Sequence, residues 1–161
     1  VPWVMNDLRI LTLEIQSMSK NPDYEFGHLE ENPYRSVATI STHDMATLRG
    51  WWDEDAERTQ RFYNYMLQKD GDAPHPMPGW LCEEVVARHL FCPSMLCLLS
   101  LQDWLSMDEQ LRYPDADFER INVPANPRHY WRYRMHLTIE QLMEQPALNE
   151  KILNLIKRSG R

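Results

Sequence analysis

Val37-Ala-Thr-Ile-Ser-Thr-His-Asp44 is a short run of β-branched and small residues that ends on two hydrogen-bonding side chains. Its first part, Val37 to Ser41, reads as a buried strand, set off upstream by the turn residues Asn32-Pro33-Tyr34. Two other runs have the same character: Ile10 to Ile15, and Met95 to Leu101, the latter entered through Pro93-Ser94. Helical patterns lie between and after them. Asp53 to Lys69 carries acids early and closes at Asp70-Gly71, with Trp52, Ala56, Thr59, Phe62, Tyr63, Met66 and Leu67 on one face. Trp80 to Phe91 follows the proline-rich link Ala73 to Gly79, and Leu137–Gln145 and Ala147–Arg158 form a helical tail with Thr138 and Pro146 near their starts. Buried strands separated by helices imply parallel strands joined by crossovers. Three strands close nothing, and a (β/α)8 barrel needs about 250 residues. The expected fold is therefore α/β: the C-terminal portion of a (β/α)8 TIM barrel, about three strands, with a predominantly helical remainder. Residues 1–161, including a tail at about 137–159, read as part of a domain rather than a complete one.

Composition narrows the function. With 43% apolar and 25% charged residues, the chain is of the globular type. A net charge of −7 argues against nucleic acid, which demands a basic stripe. The basic residues Arg128, Arg132, Arg134, Lys151, Lys157 and Arg158 read as a solvated face. No run reaches the roughly 18 apolar residues of a membrane span, so no membrane partner is expected. The odd set Cys82, Cys92 and Cys97 fits reduced thiols and a cytoplasmic setting. The opening Val1-Pro2-Trp3, without an initiator methionine, suggests a processed or excised segment.

The candidate chemistry sits at the end of the central run. In parallel α/β folds the loops after strand C-termini converge on one mouth, and Ser41-Thr42-His43-Asp44 falls there. A carboxylate beside an imidazole suits stabilisation of a cationic transition state and hydrogen bonding to a polar substrate. The competing reading is structural: Asp44 or Thr42 caps a helix beginning near Ala46, and His43 is an ordinary loop residue. Aromatic density adds a carbohydrate flavour, because sugar faces stack on rings. Trp51-Trp52 and His129-Tyr-Trp-Arg-Tyr-Arg134 are the relevant clusters, with core packing the simpler reading of Trp51-Trp52. Cys82, His89 and Cys92, seven and three apart, have a spacing that faces them together on a helix but lack the paired spacing of a closed zinc site, so buried thiols are the better explanation and no metal is expected. No phosphate-binding glycine loop or nucleophile elbow occurs.

Taken together, Val37-Ala-Thr-Ile-Ser-Thr-His-Asp44 and Thr47-Leu-Arg-Gly-Trp-Trp52 resemble a catalytic segment of the 4-alpha-glucanotransferases, the amylomaltases or disproportionating enzymes of glycoside hydrolase family 77. Ser100-Leu-Gln-Asp103 is similar to that family's exit from the eighth barrel strand. Arg120-Ile-Asn122, Pro124 and Tyr130-Trp-Arg-Tyr-Arg134 resemble its C-terminal signature. The likeness runs in order along almost the whole chain. Val1-Pro-Trp-Val-Met-Asn-Asp-Leu8 and Asn126-Pro-Arg-His-Tyr-Trp-Arg-Tyr-Arg134 resemble the branch that holds the plant cytosolic disproportionating enzyme. Met45-Ala46 in place of Asn-Asp, and Val123-Pro-Ala-Asn126 in place of a Pro-Gly turn, fit that branch.

The resemblance implies a retaining double displacement, with an Asp nucleophile and a Glu acid/base on earlier strands and no cofactor. It makes Asp44 the third catalytic carboxylate and His43 a donor to the same sugar, with Asn122 and Trp131 placing substrate or shaping the nearby loop. The implied ligands are alpha-1,4-glucans, maltose and a glycogen-like acceptor. Neither an Arg-x-Asp nucleophile segment nor a Glu-Asp-Leu-Gly acid segment occurs, so the chain alone is expected to be inactive. Folded alone, it is expected to form a mostly helical body, or oligomers that cover the open sheet edge. The alternatives are a non-catalytic carbohydrate-binding module and a structural helical module.

Overall fold

The strands set the frame. The computed structural model describes residues 2–161. A short helix, α1 (Pro2–Asp7), precedes β1 (Thr12–Ile15), and an irregular segment leads to β2 (Ser36–Thr39). Helices α2 (Leu48–Glu54) and α3 (Ala56–Arg61) follow, then α4 (Gly79–Phe91), the two-residue β3 (Leu96–Cys97) and α5 (Leu101–Leu105). The chain ends in α6 (Ile139–Met143) and α7 (Pro146–Ser159). The sheet order is β1-β2-β3, all parallel, with Thr12 opposite Ser36 and Val37 opposite Leu96. Parallel pairing puts the three strand C-termini at one end of the sheet, where the segments after Ile15, Thr39 and Cys97 leave it.

Each expected strand is present but shorter, for local reasons. Ile10 and Leu11 belong to the turn after α1, where the Ile10 N–H donates to the Met5 carbonyl at 2.8 Å. The Met95–Leu101 run gives only Leu96–Cys97 because Ser100 starts a helix. Its hydroxyl accepts from the Asp103 N–H, while the Asp103 carboxylate accepts from the Ser100 N–H. Ser100–Asp103 is thus a capping box as well as a strand exit. The outer strands also depart from the buried reading. Leu13 is 45% exposed and Leu96 43%, since β1 and β3 each have an unpaired edge.

The single helix expected over Asp53–Lys69 is broken. Asp55 is extended (φ −149°) and its side chain accepts from the Arg58 N–H at 2.9 Å, so it caps α3 instead of continuing α2. Phe62–Met66 then widens into a π turn, closed by the Leu67 N–H on the Phe62 carbonyl at 3.1 Å. Trp52, Thr59, Phe62, Tyr63 and Leu67 are buried as the periodicity predicts. Ala56 is exposed, because it opens a separate helix.

The main core lies in this helical layer: Trp52, Phe62, Met77, Leu81, Val85 and Val86, closed by Leu148 and Leu155 of α7. Gly79 starts α4 where a Cβ would stand 2.8 Å from the Met107 carbonyl oxygen, so no larger residue fits without movement. Helix α7 begins with Pro146 at its first turn and ends on Gly160 in the left-handed region (φ 76°). The basic residues divide. Lys157 and Arg158 are exposed, Lys151 pairs with Glu83 at 2.8 Å, and Arg128, Arg132 and Arg134 lie in the irregular segment before α6. No helix among the described residues is long and apolar enough to cross a membrane.

Candidate active site

Central strand β2 delivers the site. Beyond Thr39 the chain runs through Ile40, Ser41 and Thr42 to His43 and Asp44 before α2 begins. Helix α2 is capped by Thr47, whose side chain accepts from the Gly50 N–H, and not by Asp44 or Thr42. The Asp44 backbone N–H donates to Thr42 Oγ1 at 3.4 Å. The capping reading therefore fails, and the Asp44 carboxylate stands free of α2 at the strand mouth.

Three other candidate side chains gather on it. Asn122 Nδ2 donates to Asp44 Oδ1 at 2.6 Å, across 78 positions of sequence. His43 Nε2 lies 3.4 Å from Asp44 Oδ2. The Trp131 ring lies 5.1 Å from that of His43, tilted by 48°. A carboxylate, an imidazole, an amide and an indole thus share one spot. The side chains of His43 and Asp44 remain about half exposed, at 54% and 52%, so a ligand has access to both. Behind them lies a cavity of about 60 Å³, lined by Thr42, His43, Met45, Ser100, Glu119 and Ile121.

Beneath this cluster is a buried polar layer that the sequence did not reveal. Arg49 and Glu119 form an ion pair of 2.5 Å with side chains 3% and 2% exposed. Burial pushes the Glu119 carboxyl above its ordinary range, against the pull of Arg49 and the Thr47 hydroxyl. Asp103 is likewise raised by burial, opposed by hydrogen bonds from Ser100 and the Leu48 N–H. Glu119 ends the acidic stretch Asp115-Ala-Asp-Phe-Glu119, whose 3-10 turn spans Ala116–Glu119. Its partner lies 70 positions away, and no local pattern links the two.

The remaining singled-out residues turn inward. Trp52 is fully buried, and its indole N–H donates to the Pro74 carbonyl at 2.9 Å. Trp51 packs edge-on against Phe26 and Phe62 and carries the Arg58 guanidinium 4.6 Å from its ring centre. His89 is buried with Nδ1 2.8 Å from the Val85 carbonyl, and desolvation lowers its pKa to about 4. Burial pushes the Cys82 and Cys97 thiols up to about 11. Among the described residues no group of three His, Cys, Asp or Glu side chains could hold a metal ion.

A parallel α/β sheet with a polar cluster at its strand C-termini is the architecture of barrel enzymes. The chain belongs to the 4-alpha-glucanotransferase family, whose model matches residues 1–139. It is 37% identical over 158 residues to 4-alpha-glucanotransferase DPE2 of Oryza sativa subsp. japonica, covering 98% of this chain and 17% of that protein. Among solved structures, it resembles the amylomaltase from Streptococcus agalactiae in complex with acarbose, with a TM-score of 0.71 at 16% identity, over 99% of this chain and 29% of that one. The amylomaltase from Corynebacterium glutamicum gives a TM-score of 0.66 at 17% identity, over 97% and 27%. These likenesses bear out the partial α/β barrel. The chain spans less than a third of the length of each of these proteins.

Proposed function

We propose that this chain forms the Asp44-bearing part of a 4-alpha-glucanotransferase that moves glucosyl or glucan units from maltose or malto-oligosaccharides to an alpha-glucan acceptor. The observation that carries the proposal is the meeting of Asp44 with His43, Asn122 and Trp131 at the mouth of a family barrel. Asn122 engages one carboxylate oxygen and His43 lies near the other, which fixes the plane of the group. A carboxylate held so accepts hydrogen bonds from sugar hydroxyls and stabilises positive charge as the ring flattens towards an oxocarbenium ion. His43 donates to the same sugar, and Trp131 offers it an apolar face. Neither an Arg-x-Asp nucleophile segment nor a Glu-Asp-Leu-Gly acid segment occurs in the 161 residues, so on this proposal the chain by itself is inactive.

The sugar partners follow from the family, and acarbose is the ligand of the Streptococcus agalactiae relative. The exposed edges of β1 and β3 suit either neighbouring barrel strands or, in the isolated chain, self-association. Three free cysteines support a cytoplasmic setting.

The test is Asp44→Asn in the full-length protein, with transfer from maltose to glycogen measured directly. The expected loss is about 10²–10³-fold in kcat, the order lost with one transition-state-stabilising group, with melting temperature unchanged. Near-normal transfer would remove Asp44 from the mechanism. A correctly folded parent with no transferase activity but with glucan binding would instead support the carbohydrate-binding alternative.

A further inference from the structure

Asp44 and Asn122 reach the site on segments that share no strand or helix, so something must hold the two segments in register. Asn122 lies in an irregular stretch after the 3-10 turn Ala116–Glu119, where no sheet ladder fixes it. Asp44 stands just ahead of α2. The contacts that join them pass through two buried charges.

Arg49 on α2 donates to Glu119 and also to the carbonyls of Tyr113 at 2.7 Å and Pro114 at 3.2 Å. Thr47, three residues beyond Asp44, donates to the other Glu119 oxygen at 3.0 Å. Gln102 of α5 donates to the Glu119 backbone carbonyl at 3.2 Å. Both ends of the Tyr113–Glu119 stretch are therefore tied to the segment that carries Asp44. One residue further on, Arg120 Nε donates to the Asn122 carbonyl at 3.1 Å while its Nη1 reaches Glu54 of α2, also at 3.1 Å. The Glu119 side chain also lines the small cavity behind His43.

Stability alone is a poor reason for this arrangement. Removing two charges from water costs several kcal/mol each, and an apolar pair of similar volume often serves a fold as well. Arg49 Nε is moreover buried without a partner. What two fixed charges with directed hydrogen bonds supply, and an oily contact does not, is a single register between two segments.

We infer that Arg49 and Glu119 are positioning residues, which hold the Asn122 segment against α2 so that the Asn122 amide meets the Asp44 carboxylate. The inference rests on the role proposed above for Asp44 and Asn122. Both act through Asn122.

A double-mutant cycle in the full-length enzyme tests this, with kcat and KM for transfer from maltose to glycogen measured where circular dichroism shows every variant folded. Glu119→Gln lowers kcat by about tenfold to a hundredfold, the order that sub-ångström to ångström misplacement costs, with a smaller change in KM. In an Asn122→Ala background the same substitution lowers kcat by less than about twofold, since its effect already runs through the missing amide. Should Glu119→Gln fail to fold, Arg49→Lys, which keeps the charge but loses the guanidinium fork, enters the same cycle. Wild-type kcat in the folded single variant overturns the inference, and so does an equal loss in both backgrounds. Normal activity in Asn122→Ala alone sinks the assignment of Asn122 itself, which separates failure of the site from failure of the positioning pair.

Discussion

The helical layer and the sheet edge of this chain differ in where their packing partners lie. Trp52, Leu81, Cys82 and Val86 are wholly buried, and everything that covers them comes from within the 161 residues. Leu13, Leu96 and Leu98, by contrast, are 45%, 43% and 60% exposed on or beside strands with unpaired edges. Apolar strand residues of this kind cost free energy in water unless another surface covers them. The contrast teaches that the helical layer is closed by residues of this chain, whereas the sheet leaves apolar residues and two edges open. The candidate site lies on the seam: Arg49 and Glu119 belong to the buried side, Asp44 and His43 to the open one.

The largest effect that can break this comparison is in the helical core. Trp52→Ala should cost about 3–5 kcal/mol, through cavity formation and the loss of the Pro74 hydrogen bond. Urea unfolding followed by fluorescence measures it, and a cost below about 1 kcal/mol would mean that the layer does not carry the fold.

A smaller and pH-dependent effect comes from His89. Its Nδ1–H donates to the Val85 carbonyl, and its buried Nε2 has no partner, so a proton added there would be an uncompensated charge. The folded ring takes its proton at about 4, below the ordinary 6.5 that applies to the unfolded chain. Below 6.5 the unfolded state binds the extra proton, so stability is complete above that pH. It declines as pH falls towards 4, by about 3 kcal/mol in all. His89→Gln should flatten this part of the stability–pH curve, and an unchanged slope would show that other groups set it.

Asp55→Ala removes the cap of α3 and should cost about 1 kcal/mol in thermal or urea unfolding. The smallest expected effect lies on the open side. Trp131→Ala should alter stability by less than about 0.5 kcal/mol, because its ring is mostly in solvent. Transfer activity should fall nonetheless, and a loss of stability as large as that of Trp52→Ala would erase the distinction between the two regions.

The strands, the helices and the candidate site were legible in the sequence to different depths. Strand positions were readable because β-branched and apolar runs bounded by Pro and Asn have few other uses. Their lengths were not, because Ser100 and Asp103 stop the third strand by capping a helix. The break at Asp55 is not legible in the sequence, since an acid there suits the first turn of one long helix and the cap of a new one equally well. His43 and Asp44 are legible from their place after a strand, and Asn122 and Trp131 only through the family resemblance.

By itself, the sequence determined the layer type, the direction of the strands and the mouth at which His43 and Asp44 emerge. These follow from local periodicity and from the short reach of the chain between elements. Only the tertiary structure decided that Asn122 crosses 78 positions to meet Asp44, and that Arg49 finds Glu119 across 70. The reason is physical. Hydrophobic pattern encodes which face of an element is buried, but hydrogen bonds and ion pairs act over about 3 Å. Their partners are settled only once distant segments have been brought together.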